Sequence, residues 1–151
     1  HSVPLRNFSV RSVTSSSKTA SVKRMGIWSD PGKEIIMEHS KIARIIFNYV
    51  RRKGGVSFVE FENIFRENGF NYKGHKMILY PDSPNIVVWL GWNQEAVDII
   101  MEVIGMGAGF ICTNPVIYYC DGGALNLPIA RTTRGYKKEL HWLPVVMNVE
   151  E

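Results

Sequence analysis

The residues Arg131-Thr132-Thr133-Arg134-Gly135-Tyr136-Lys137-Lys138 place four cations, two hydroxyls and one aromatic ring in eight positions. Arginine and lysine can neutralise phosphate oxygens, and threonine hydroxyls can add hydrogen bonds to the same groups. A tyrosine among them can stack on an exposed base. The structural alternative is a solvated hairpin whose lysines discourage edge-to-edge pairing. A second cationic cluster, Arg51-Arg52-Lys53, is a further candidate for phosphate binding. It also falls in the last turn of an expected helix, where cations offset the helix dipole.

Other chemistries find little support. The histidines are His1, His39, His75 and His141, none at close metal-ligand spacing with another or with a cysteine. Neither a metal site nor a cofactor is expected. Gly105-Met106-Gly107-Ala108-Gly109 has a helix before it and a strand after it, the reverse of the dinucleotide fingerprint, so it reads as helix termination. No catalytic motif stands out, and the chain reads as a non-enzyme.

The formal net charge of +4 is unevenly spread. His1–Arg24 carries Arg6, Arg11, Lys18, Lys23 and Arg24 with no acid, together with seven serines and two threonines. Residues 25–151 carry thirteen basic and fourteen acidic side chains, close to neutrality. Residues 1–28 are therefore expected to form a flexible basic tail or leader, similar in composition to an organellar transit peptide, with Met25 a candidate start. Residues 29–151 are expected to form one domain. With 45% hydrophobic residues in 151, the chain is too apolar for general disorder. It has no apolar run approaching about eighteen residues, so no membrane partner is expected. Two cysteines are too few for a disulfide scaffold, which suggests an intracellular, cytoplasmic protein, or an imported one if the tail acts as a transit peptide.

The elements that must position the candidate residues follow from local signals. Ser29-Asp30-Pro31 starts a helix whose apolar residues include Ile35, Ile42, Ile45, Ile46, Tyr49 and Val50, ending at Gly54-Gly55; Ser40 could divide it. Ser57-Phe58-Val59-Glu60 matches a capping box, with Val56 and Phe61 at the staple positions. Lys76–Tyr80 and Ile86–Trp92 read as a hairpin turning at Pro81-Asp82-Ser83-Pro84. Asn93 caps a helix through Ile104. A second hairpin is expected over Phe110–Thr113 and Val116–Cys120, turning at Asn114-Pro115, with further strands near Leu127–Thr133 and Tyr136–Leu143.

In that hairpin Cys112 would face Ile117, and Cys120 would lie on the other face, so two free, buried thiols are expected. Trp89 and Trp92, three apart on a strand, should face opposite sides. An exposed tryptophan among Trp89, Trp92 and Trp142 would mark a protein-partner surface.

The order helix, Val56, helix, hairpin, helix, and then the run Phe110–Cys120 with its Val116-Ile117-Tyr118-Tyr119 segment, resembles a winged-helix domain. The resemblance implies an elaborated α+β winged-helix-like domain with two or three β-hairpins. It further implies a DNA-binding protein, a small transcriptional or replication regulator. The third helix carries Glu95, Asp98 and Glu102 without a cation, which opposes entry among phosphates. Nucleic acid is therefore expected to meet Arg131, Thr132, Thr133, Arg134, Tyr136, Lys137 and Lys138, with Arg51, Arg52 and Lys53 in support. The alternative is a protein-interaction or dimerisation module of the same shape. Its homodimer or protein partner would use the acidic helix 94–104.

Overall fold

Gly54 and Gly55, with φ of 73° and 61°, end a helix that runs unbroken from Pro31 to Lys53 (α1). The expected division at Ser40 does not occur. One serine lowers helix propensity by only about 0.5 kcal/mol, too little to interrupt a stripe in which Ile42, Ala43, Ile46 and Val50 are buried. The computed structural model describes residues 8–12, 31–81, 83–132 and 136–149.

The second helix, Phe58–Glu67 (α2), begins as its sequence predicts. Ser57 Oγ accepts from the Glu60 amide, and the Ser57 amide donates to Glu60 Oε2 at 3.1 Å. Phe58, Val59, Phe61, Ile64 and Phe65 form its buried face, and Gly69 follows at φ 67°.

Strand β2 (Lys73–Leu79) and strand β3 (Ile86–Trp92) form the expected antiparallel hairpin. Asn93 then caps a third helix, Gln94–Gly105 (α3), its side-chain oxygen accepting from the Ala96 amide at 2.8 Å. Ser9–Ser12 (β1) adds antiparallel to the outer edge of β2, so part of the basic N-terminal segment joins the sheet. The Phe8 ring stands edge-on to that of Phe110, with centroids 5.1 Å apart.

Strand β4 (Ala108–Cys112) pairs antiparallel with a final strand, Val145–Val149. Val56 bridges that final strand at Met147, so its two edges are held by β4 on one side and Val56 on the other. Between the two strands the chain makes a long excursion over residues 113–144. It holds a short helix, Val116–Asp121 (α4), and a two-residue strand, His141–Trp142 (β5), parallel to β3. Val145–Val149 is accordingly β6.

The expected hairpin over 110–120 is not formed. Asn114 accepts from the amides of Val116 (through Oδ1, 2.9 Å) and Ile117 (through its carbonyl, 3.2 Å), and Pro115 sits at φ −59°, ψ −16°. These features start a helix, and they outweigh the strand preference of Val116-Ile117-Tyr118-Tyr119. The strands expected near 127–133 and 136–143 shrink to β5 and a bridge between Ile129 and Trp142. The architecture is α+β, with four helices and two sheets among the described residues. No helix among them is long and apolar enough to cross a membrane.

The core is dominated by rings. Phe58 stacks on Trp89 and on Phe110, with centroids 5.5 and 5.1 Å apart, and meets Phe61 and Trp92 edge-on. Trp89, Trp92 and Trp142 are all buried, so none marks a partner surface. Trp89 and Trp92 do not point apart as strand alternation predicts: both indoles donate to Oε2 of Glu62 at 2.9 Å. Gly91 between them, at φ 94°, breaks the alternation as a glycine bulge does. A smaller cluster of Met77, Leu79 and Val87 is covered by Leu125, Leu127 and Leu140 of the excursion.

Candidate nucleic-acid interface

The excursion is tied down before it reaches its cations. Gly123 comes so close to α2 that a Cβ there would lie 2.9 Å from Cγ2 of Val59. Leu125 and Leu127 then pack against the sheet cluster. The Ala130 amide donates to the Trp142 carbonyl at 2.7 Å, and the Trp142 amide to the Pro128 carbonyl at 2.8 Å. The chain beyond Ala130 is thus held on both flanks.

Arg131 and Thr132 follow, both exposed, and Lys137 and Lys138 are exposed on the return. Thr133 and Arg134 lie outside the described residues. Tyr136 organises the loop. Its hydroxyl accepts from the Arg131 amide at 2.9 Å, and its carbonyl accepts from Asn85 Nδ2 at 2.7 Å. Its ring stacks on His141, centroids 3.7 Å apart and planes 21° from parallel. The backbone of His141 is held in turn by the Asn85 carbonyl at 2.8 Å. Hydrogen bonding from the Arg131 amide, aided by Thr132 and the Arg131 charge, draws the Tyr136 pKa below the usual tyrosine value. The loop therefore brings Arg131, Thr132, Tyr136, Lys137 and Lys138 together on one support.

The second cationic cluster sits elsewhere, at the end of α1 against α2. Lys53 donates to Glu60 Oε1, and the Arg52 guanidinium lies 5.6 Å from the Tyr49 ring centroid. Tyr49 also donates to Glu60 Oε1, at 2.8 Å. Burial would raise the Glu60 pKa, but the bonds from Lys53, Tyr49 and the Ser57 amide outweigh it and hold it below the ordinary value. Burial lowers and the Glu60 bond raises the Lys53 pKa, with the bond prevailing. Lys53 is thus engaged in fastening α1 to the start of α2, a task that its position in the sequence does not announce.

Helix α3 offers little to a groove. Ala96, Val97, Ile99, Ile100, Val103 and Ile104 are buried, while Glu95 and Asp98 are exposed. Glu95 Oε2 lies 3.4 Å from His39 Nε2 of α1.

Helix α4 is the feature that sequence reasoning missed. Tyr118 anchors it: the hydroxyl donates to the Val145 carbonyl at 2.5 Å and accepts from the Phe58 amide at 3.2 Å. Ser57 Oγ donates to Asp121 Oδ2, at the far end of the helix, at 2.6 Å. The remaining apolar residues point outward, with Val116 50%, Ile117 37% and Tyr119 63% exposed. Cys112 and Cys120 are free, as expected, but exposed, not buried. For Cys120 the cause is the same helix, which carries it off the expected strand, whereas Cys112 stands at the exposed end of β4. Among the described residues no group of three or more histidine, cysteine or acidic side chains could hold a metal ion. No protein-family model matches the chain, and no match to it is found among curated proteins or solved structures.

Proposed function

We propose that this chain is a nucleic-acid-binding protein of winged-helix-like design that holds phosphates through the loop 131–138, not through its third helix. The observation that carries the reading is the clamp at Tyr136. It fastens the loop to Asn85 and His141 and leaves Arg131, Lys137 and Lys138 exposed. The strand pairing supports it: Val56, β6 and β4 lie side by side, and the loop belongs to the excursion joining β4 to β6, where a wing would stand. The buried, acidic α3 argues for phosphate binding by the loop in place of base readout by a helix.

The test is binding of the full chain to labelled DNA over a salt series, beside a variant with Arg131, Arg134, Lys137 and Lys138 changed to alanine. Each cation that no longer neutralises a phosphate makes the slope of log affinity against log salt shallower by about 0.9. The variant should bind more weakly with a slope shallower by about 2–4. Equal affinity and equal slope for the two proteins would remove this loop as the site.

A second reading rests on α4. Val116, Ile117 and Tyr119 are the exposed large hydrophobics among the described residues, and all belong to this one short helix. A protein-interaction module would present such a patch. Tyr119→Asp should abolish association through this face, and association that survives the change would remove α4 as the interface.

A further inference from the structure

The loop supports a more specific statement about its ligand, and this inference rests on the nucleic-acid reading above. We propose that the site takes single-stranded nucleic acid, with the Tyr136–His141 pair serving as a stacking platform for an unpaired base. Duplex readout requires an element that enters a groove, and α3 does not supply one. Six of its side chains are buried, and the residues it exposes include Glu95 and Asp98. A single strand requires less: cations along the backbone and a ring on which bases stack, an interaction open to every base.

The loop provides both within a few residues. Tyr136 and His141 already lie face to face at 3.7 Å, and neither residue is buried. Tyr136 packs in part against the core, and Asn85 holds the pair by bonding the Tyr136 carbonyl through its side chain and the His141 amide through its carbonyl. Arg131, Lys137 and Lys138 flank it. The platform is therefore fixed before a ligand arrives, and the loss of side-chain freedom on binding is small.

The experiment compares the full chain binding to single-stranded and duplex DNA of equal length and the same sequence. Alongside are Tyr136→Leu, which removes the ring, and Tyr136→Phe, which keeps it and removes the hydroxyl. Single strands should bind at least about tenfold tighter than duplex, a difference in the range of one or two stacked bases. Tyr136→Leu should lower single-strand affinity about 5- to 10-fold more than it lowers duplex affinity, while Tyr136→Phe should retain the preference for single strands. Binding that is equal for both forms, or tighter for duplex, overturns the single-strand inference and leaves the nucleic-acid reading standing. An equal loss for both forms in Tyr136→Leu assigns Tyr136 to loop positioning alone and also overturns it. Binding to neither form overturns the underlying reading.

Discussion

A β-carbon on Gly74 would stand 2.6 Å from Cα of Asn93 and 2.7 Å from its amide nitrogen. The residue it would strike caps α3, and the Asn93 amide is itself bonded to the Tyr72 carbonyl at 2.7 Å. The start of β2 and the cap of α3 therefore meet backbone to backbone, with no flexible side chain to give way. Gly74→Ala should destabilise the chain by about 1–3 kcal/mol in urea unfolding. Gly105→Ala is the matched control. It lies in α3 with nothing within 4 Å of the added carbon, and it should be neutral or stabilising by up to about 1 kcal/mol. Equal effects at the two sites would contradict the close approach.

The shared acceptor at Glu62 makes a second prediction. One oxygen takes the N–H of both Trp89 and Trp92, each at 2.9 Å, and both rings are buried. Glu62→Leu would strand two indole donors and should cost about 2–4 kcal/mol. Glu62→Gln keeps a carbonyl oxygen in reach and should cost about 1 kcal/mol. Denaturant unfolding followed by tryptophan fluorescence measures both, and the same probe reports whether the emission of the folded state shifts when the acceptor is removed.

These tryptophans also show where the sequence is legible and where it is not. Both clear caps, Ser57 with Glu60 and the one at Asn93, are readable because their partners lie within three residues. Strand alternation sends Trp89 and Trp92 to opposite faces because it assumes an unbroken pleat, and Gly91 breaks it. Val116–Cys120 is rich in residues that favour strands, yet Asn114 and Pro115 start a helix there. The loop cations are visible by type. The clamp that seats them is not, because Asn85 and Tyr136 are 51 residues apart and only the fold joins them.

Glu60 should give the stability a measurable dependence on pH. Its carboxylate accepts from Tyr49, Lys53 and the Ser57 amide, which holds its folded pKa below the reference value of 4.5. A depressed carboxylate pKa means that the contribution is present above the unfolded value and is lost as the pH falls through the folded one. Glu60→Ala should cost about 1–2 kcal/mol at pH 7, the scale of a missing cap and its hydrogen bonds. The gap from the parent chain should narrow below the unfolded value. Urea midpoints measured from pH 7 down to about pH 3 test the sign: a gap that widened on acidification would mean that the ionised form is not the stabilising one.

The cysteines allow the geometry of α4 to be checked by simple chemistry. If Val116–Cys120 were a strand of a hairpin, both thiols would be packed in the core and would react with a disulfide reagent only after denaturation. The helix instead leaves Cys120 exposed, and Cys112 is exposed at the end of β4, so both should react in the native chain. Burial pushes the Cys112 thiol pKa up, leaving little of the nucleophilic thiolate at neutral pH, so its rate should rise as the pH is raised. Cys112→Ser and Cys120→Ser assign each reaction to its residue. A requirement for denaturant at both positions would contradict the helix and return Val116–Cys120 to the sheet.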